Sequence, residues 1–139
     1  MGQKFSKGLQ AKDVVVLEGD LGGGKTTFIK GILKGLGYKG AVLSPSFALM
    51  RQYKLRKLLI WHIDLYRLEY KDIPDLGIEE GLYKGRNITL IEWGDRIKKD
   101  LDKYIRVEFL FLGQNIRSLK FSTKNYGQNK AKRIERILG

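Results

Sequence analysis

Two periods of apolar residues alternate along the chain, and each change of period marks a boundary between predicted strands and helices. Residues 13–18 contain four consecutive apolar side chains, three of them valine, and predict a buried strand. A glycine-dense stretch follows at residues 19–24. Apolar residues then recur at helical spacing from Phe28 to Leu36, and Gly37 supplies a stop signal. The start of the chain therefore predicts a strand, a glycine-rich loop and an amphipathic helix, in that order.

The remainder of the chain predicts mainly strands. Short apolar or alternating runs predict strands over residues 41–43, 47–53, 58–63, 87–93, 104–112 and 116–121. Residues 113–115 would turn the last two strands into an antiparallel hairpin. Helices are expected up to Leu9, over residues 77–83, and over the basic stretch 129–138. This order indicates a single α/β domain over residues 1–139, with a mixed sheet flanked by helices and a C-terminal antiparallel hairpin.

The glycine-dense stretch matches a phosphate-binding loop. Residues 19–26 have the pattern G-x-x-x-x-G-K-T, and the strand before them and the helix after them are the context that the pattern requires. Glycines let phosphates approach backbone N–H groups, and a helix N-terminus favours anions. The sequence thus predicts a P-loop NTPase-like fold that binds ATP. The predicted phosphate contacts are Gly19, Leu21, Gly22, Gly23, Gly24, Lys25, Thr26 and Thr27.

Two carboxylates follow apolar runs, at Asp64 and Glu92. Each can lie at the carboxyl edge of the sheet, where P-loop enzymes place an acid for Mg²⁺. Mg²⁺ prefers oxygen ligands, so Thr26 and one of these acids could hold the metal, and Glu92 has the cleaner Walker B character. Asp64 could instead orient the attacking water or a magnesium-bound water, and the sequence leaves this division open. Each residue alone is equally well explained as a surface acid at the end of a strand.

Two further positions have both a functional and an ordinary interpretation. Ser46, within Ser44-Pro45-Ser46-Phe47, lies where switch loops sense a γ-phosphate, although from the sequence alone a plain proline turn explains it somewhat better. His62 is the only histidine, and strand alternation places it on the same face as Asp64. A packed or hydrogen-bonded role fits His62 better than a catalytic one.

The uneven distribution of positive charge along the chain predicts an anionic partner. The formal net charge is +12, and residues 113–139 hold seven basic residues against one acid. This basic tail favours RNA or an acidic protein, although a solvated lysine-rich surface gives the same composition. The sequence has no cysteine, which is compatible with a reducing cytoplasm. No apolar run approaches the roughly 18 residues of a membrane span.

Together these motifs resemble the bacterial TsaE (YjeE) family. The matching stretches occur in the family's order over about residues 1–112. They are Leu17-Glu18-Gly19-Asp20-Leu21-Gly22-Gly23-Gly24-Lys25-Thr26-Thr27, Ser44-Pro45-Ser46-Phe47, His62-Ile63-Asp64-Leu65-Tyr66-Arg67-Leu68-Glu69, Leu76-Gly77-Ile78-Glu79-Glu80 and Ile91-Glu92-Trp93-Gly94-Asp95-Arg96.

The resemblance implies a small cytoplasmic ATPase, weak alone, that supports threonylcarbamoyl modification of tRNA adenosine 37 together with the TsaD and TsaB proteins. It implies ATP and Mg²⁺ as cofactors, with Lys25 and the loop glycines on the phosphates and Thr26 and Glu92 on the metal. It implies that Asp64 is needed for hydrolysis and that Ser46 occupies the switch position. Trp93 would lie near the nucleotide or a partner.

Two other functions are compatible with the same motifs. A small P-loop kinase would need a lid with clustered arginines, and no such cluster is evident in the sequence. A non-catalytic module would keep ATP as a structural ligand and bind RNA through the tail. The family also usually has an extra strand and a longer helix before the first apolar strand, in a region that frames the adenine.

Overall fold

The computed structural model describes residues 1–20, 24–43, 50–73, 77–111 and 117–139, and the fold within these ranges is α/β. In chain order the helices and strands are α1 Gly2–Ser6, β1 Val14–Glu18, α2 Lys25–Gly35, β2 Met50–Lys54, β3 Leu59–Asp64, β4 Asn87–Glu92, β5 Tyr104–Phe111, β6 Arg117–Lys124 and α3 Gln128–Leu138. Short 3-10 turns lie at Tyr70–Asp72, Ile78–Glu80, Gly94–Arg96 and Lys98–Asp100.

Six strands form one mixed sheet in the order β2-β3-β4-β1-β5-β6. The four central strands are parallel, and β2 and β6 are added antiparallel at the two edges. Strand β1 is buried along its whole length, as its run of valines predicts. The carboxyl ends of β3 and β4 lie side by side, because Asp64 is the register partner of Glu92. The mixed sheet and the terminal hairpin are therefore as expected.

The two faces of the sheet are covered differently. The helices α1, α2 and α3 pack on one face, and their apolar side chains join those of the strands in a core around Phe5, Phe28 and Ile134. The opposite face is covered by the 3-10 turns and their flanking residues around Leu65, Ile78 and Ile97. We call these the helical layer and the turn layer. No helix within the described ranges is long and apolar enough to cross a membrane.

Glycines let α1 cross α2 closely. A Cβ at Gly31 would lie 3.1 Å from the Cα of Gly2, and a Cβ at Gly35 would collide with the side chain of Ser6. The short helix α1 is thereby held against α2 with its Phe5 in the core. This contact places the first residues of the chain beside the helix that follows the glycine-rich loop.

Two predicted elements are wrong, and each has a local cause. Residues 41–43 do not form a strand, because the N–H and C=O of Leu43 bond the hydroxyl of Tyr53 rather than a neighbouring strand. The helix predicted over residues 77–83 is only the 3-10 turn Ile78–Glu80. Gly77 and Tyr83 adopt positive φ angles of 68° and 61°, which a helix cannot continue through.

Several boundaries also moved. Strand β4 ends one residue before Trp93, whose φ of 60° leaves the extended region. The predicted strand over residues 47–53 appears as β2, and its first three residues lie outside the described ranges, as does the turn at 113–115. The helices predicted up to Leu9 and over residues 129–138 are α1 and α3.

Candidate functional site: a phosphate-loop edge

The start of the glycine-rich loop is fixed by its neighbours. Gly19 has a φ of 141°, and a Cβ there would lie 2.8 Å from the Cβ of Phe109. Glu18, just before it, binds Lys98 at 2.9 Å and Arg106 at 2.7 Å. Burial alone would raise the pKa of Glu18, but the two cations hold it below its usual value. The glycine-rich loop therefore begins directly after a charged residue whose side chain is held by two ion pairs.

Lys25 is a buried ammonium at the first turn of α2. The residue is only 5% exposed, and its Nζ donates to the carbonyls of Gly19 at 2.6 Å and Asp20 at 2.8 Å. The same Nζ lies 4.3 Å from the ring centre of Trp93. Burial lowers the pKa of Lys25, with nearby carboxylates opposing the effect. Within the described residues no carboxylate is in ion-pair distance of Lys25.

Glu92, Thr26 and His62 form a connected set beside Lys25. Glu92 ends β4 and is 4% exposed; one carboxylate oxygen lies 2.7 Å from His62 Nε2 and the other lies 3.5 Å from Thr26 Oγ1. His62 is fully buried, and its Nδ1 has no partner within the described part of the chain. His62 therefore holds one side of the Glu92 carboxylate and leaves the other directed at Thr26.

Asp64 lies next to this set but is less buried. Its Oδ1 accepts a hydrogen bond of 2.9 Å from the backbone N–H of Tyr66, directly after β3. Burial raises the pKa of Asp64; the bond from Tyr66 opposes the effect, and the charge of Glu92 adds to it. Two adjacent carboxylates thus have different environments, one tightly held and one partly solvated.

The oxygen atoms at this edge fit Mg²⁺. Within the described ranges no group of three or more His, Cys, Asp or Glu residues could enclose a metal ion. Mg²⁺ needs no such enclosure, because it keeps several waters and takes one or two protein oxygens plus phosphate oxygens. A hydroxyl and a carboxylate oxygen that face each other, as in Thr26 and Glu92, are a suitable pair.

An aromatic cleft of about 520 Å³ opens beside the loop. Its lining includes Gly24 and Thr27 at the loop edge and Phe28, Phe109 and Phe121 further in. The rings of Phe28 and Phe109 meet edge to face at 5.6 Å. The sequence analysis did not identify this cleft. The inward alternation of Phe109 along β5 was the available signal, but its distance from the loop depends on sheet order.

The structure brings most of the predicted site residues together. Gly19, Gly24, Lys25, Thr26 and Thr27 surround the start of α2, and Asp64 and Glu92 lie at the adjacent edge. Leu21, Gly22, Gly23 and Ser46 lie outside the described residues. The roles assigned to all these residues stay predictions. His62 has the hydrogen-bonded position expected for it, and its partner is Glu92.

The parallel strand, the loop with Lys25 at a helix start and the acid on the neighbouring strand define a protein of the P-loop α/β class. Comparison with known proteins narrows the class. The family model described as threonylcarbamoyl adenosine biosynthesis protein TsaE matches residues 1–119. The chain therefore belongs to the TsaE family, which acts in tRNA threonylcarbamoyladenosine biosynthesis.

Individual relatives agree with this assignment. The chain is 34% identical over 128 residues to a Nostoc tRNA threonylcarbamoyladenosine biosynthesis protein TsaE, covering 90% of this chain and 79% of that protein. It is 38% identical over 111 residues to the Bacillus subtilis protein of the same name, covering 79% and 69%. The crystal structure of Bacillus subtilis YdiB superposes with a TM-score of 0.79 at 30% identity, covering 99% of this chain and 87% of the other.

Proposed function

We propose that the chain binds ATP and hydrolyses it with Mg²⁺, weakly when alone, in support of threonylcarbamoyl modification of tRNA adenosine 37. The observation that carries this proposal is the buried ammonium of Lys25, which lacks a carboxylate partner within the described residues and bonds only backbone carbonyls. A charge removed from water needs an opposite charge, and a triphosphate supplies it. The helix start at Lys25 adds free N–H donors for the same anion.

The neighbouring residues supply the remaining chemistry. Thr26 and Glu92 would hold Mg²⁺, and bound Mg²⁺ would neutralise charge on the β- and γ-phosphates. His62 fixes the orientation of the Glu92 carboxylate through their 2.7 Å contact. Asp64 has a raised pKa and a partly solvated carboxylate, which suits a group that orients or deprotonates the attacking water. The aromatic cleft beside Gly24 and Thr27 would take the adenine.

Membership of the TsaE family supports a proposal about partners. We propose TsaD and TsaB as the proteins that this chain acts with, and TsaD rather than this chain as the carrier of group transfer. The basic C-terminal segment would then contact tRNA, and the protein would work in the cytoplasm. The proposed ATP-binding residues all belong to this chain, so ATP turnover can be tested on the chain alone and again with TsaD and TsaB.

The test measures phosphate release and nucleotide affinity in wild type and Glu92→Gln. We expect Glu92→Gln to keep ATP binding but to lower turnover by about a hundredfold, the scale of losing one preorganised electrostatic contact. Glu79→Gln is the matched control, because Glu79 is exposed on the turn layer, and its turnover should equal that of wild type. Addition of TsaD and TsaB should stimulate the wild-type chain strongly.

Four results would reject the proposal or part of it. No saturable ATP uptake by wild type would remove the nucleotide function. Unchanged turnover in Glu92→Gln would remove Glu92 from the reaction. Transfer of the γ-phosphate to a small acceptor rather than to water would identify a kinase, and binding without any turnover would identify a structural ligand.

A further inference from the structure

A second cleft lies on the helical layer, at the end of α2 away from the phosphate loop. Its volume is about 690 Å³, and Lys30, Lys34 and Lys39 line it together with Gln3 and Tyr38. We call this group the lysine cleft. All three lysines are exposed, and its lining contains no acidic residue. A helix of eleven residues is about 16 Å long, so Lys34 is more than a helical turn and a half from the residues predicted to hold phosphates.

Local structure brings the three lysines to one concave surface. Lys30 and Lys34 are four residues apart on α2 and share one face of the helix. Helix α2 ends where Gly37 takes a φ of 99°, and the N–H of Tyr38 bonds the carbonyl of Leu33 at 2.9 Å. This turn reverses the chain, so that Lys39 faces the same cleft.

The cleft lysines lack counter-charges, in contrast to the two lysines that hold buried carboxylates. Lys98 and Lys130 pair with buried carboxylates at 2.9 Å and 2.6 Å. Within the described residues none of the three cleft lysines makes an ion pair. Like charges four residues apart on a helix repel each other and destabilise it. A concave set of unneutralised cations therefore indicates an anionic ligand outside the chain.

Basic residues continue from the cleft across the helical layer. Lys4 and Lys7 are exposed at α1, and the guanidinium of Arg133 on α3 donates to the carbonyl of Lys7 at 3.3 Å. Lys132 and Arg136 are also exposed on α3. Across the residues of α1, α2 and α3 only one acid, Glu135, interrupts this surface. Its extent over three helices suits an extended polyanion better than a small anion.

The acids are concentrated elsewhere in the chain. Residues 64–102 hold ten of the fifteen acidic residues against seven basic ones. The described part of this stretch builds the turn layer and strand β4. The lysine cleft is therefore not a sample of a uniformly basic surface. A separation of charge between two faces of one sheet orients the molecule towards a charged partner.

We propose that the lysine cleft and the adjoining exposed surface of α1 and α3 bind the phosphate backbone of RNA. The inference deepens the proposed function by naming the surface that faces tRNA; it rests on the tRNA partner of that function and not on ATP hydrolysis. RNA fits better than an acidic protein, because a basic surface that extends over three helices matches the repeating charge of a phosphate backbone. The half-buried ring of Tyr38 also offers an aromatic surface within the cleft.

The experiment is a nucleotide-free anisotropy titration of a fluorescein-labelled, unmodified tRNA transcript with the full chain at several KCl concentrations. We expect saturable binding by wild type, with affinity falling linearly against salt on logarithmic axes. Lys30→Gln/Lys34→Gln should weaken binding about tenfold and lower the slope by about 1.4–1.8, since each lost phosphate contact contributes about 0.7–0.9. Lys39→Gln added to this pair should weaken binding further.

The matched control is Lys84→Gln/Arg86→Gln, which removes the same charge from exposed positions before β4. Its affinity should stay within about twofold of wild type, and thermal unfolding should show that all variants are folded. Equal weakening in both pairs, or no saturable RNA binding by wild type, would overturn the proposal. Displacement of the probe by polyglutamate as effectively as by unlabelled tRNA would indicate an acidic protein instead. Because the assay contains no ATP, a failure of the ATPase proposal leaves this result unaffected.

Discussion

Near each end of strand β1 lie a lysine and a carboxylate that are at most 9% exposed, but the two sets differ in how their charges are paired. At the amino end Asp13 is 3% exposed and binds Lys130 Nζ at 2.6 Å. Its other oxygen accepts the hydroxyl of Tyr126 at 3.0 Å, and the backbone N–H of Gln10 donates to the first at 2.8 Å. Lys130 also donates to the carbonyl of Gly8. Every contact in this cluster is short.

At the carboxyl end Glu18 is paired with Lys98 and Arg106. The two charges beside the glycine-rich loop, Lys25 and Glu92, are not paired with each other. Lys25 bonds two carbonyls and lies over Trp93, while Glu92 contacts His62 and, at a longer 3.5 Å, Thr26. Lys25 is 5% exposed and Glu92 is 4% exposed, against 3% for Asp13 and 9% for the side chain of Lys130. The difference indicates that the cluster at the amino end is structural and attaches α3 to the sheet. At the carboxyl end, Lys25 and Glu92 are available to bind a ligand.

The largest expected effect is a loss of stability at the amino end. Asp13→Ala would leave the ammonium of Lys130 buried without its counter-charge, so we expect the free energy of unfolding to fall by about 3–5 kcal/mol. Urea denaturation monitored by circular dichroism measures this change. The double variant Asp13→Leu/Lys130→Met, which removes both charges, should recover most of the loss. A decrease in the free energy of unfolding of less than about 1 kcal/mol in Asp13→Ala would show that the Asp13–Lys130 pair does not stabilise the fold as proposed.

Lys25→Met tests the carboxyl end with the opposite expectation. Removing a buried charge that has no ion-pair partner should leave the free energy of unfolding unchanged or raise it, as at many functional sites. ATP affinity should fall by about a hundredfold, or about 2.7 kcal/mol. The same substitution at Lys130 should give the reverse result, with lower stability and unchanged nucleotide affinity. Equal destabilisation by the two substitutions would remove the distinction between the two ends.

The sequence predicted the elements of the site better than its contacts. The strand β1, the glycine-rich loop, the helix α2 and the acid at the end of β4 have local signals, namely a valine run, glycine density and helical spacing. The contact of His62 with Glu92 depends on the register between β3 and β4, which no local pattern specifies. The pairing of Asp13 with Lys130 joins residues 117 positions apart, so the basic composition of α3 gave no indication of it.

The strand predicted over residues 41–43 is wrong for the same reason, namely that a local pattern does not specify tertiary contacts. Ala41, Val42 and Leu43 have the local composition of a strand, yet a side-chain hydroxyl from Tyr53 satisfies the backbone of Leu43. Tertiary contacts outweigh a weak local preference in so short a run. The same limit explains why the aromatic cleft was not predicted. Phe28, Phe109 and Phe121 meet only after β5 and β6 have joined the sheet.

The smallest expected effect is a pH dependence of stability at the amino end of β1. Burial, together with the neighbouring charge of Asp13, raises the pKa of Tyr126 above its usual value near 10. The folded state therefore keeps the phenol proton that the unfolded chain loses, so this contribution to stability is complete below pH 10 and is lost as pH rises above it. We expect Tyr126→Phe to lower the free energy of unfolding by about 1 kcal/mol at pH 8, through the lost hydrogen bond to Asp13. The difference between wild type and Tyr126→Phe in urea denaturation should then shrink between pH 10 and pH 11. If the difference in unfolding free energy between wild type and Tyr126→Phe stays constant over that range, Tyr126 has the same pKa in the folded and unfolded states. The amino-end cluster would then be more open to solvent than its short contacts indicate.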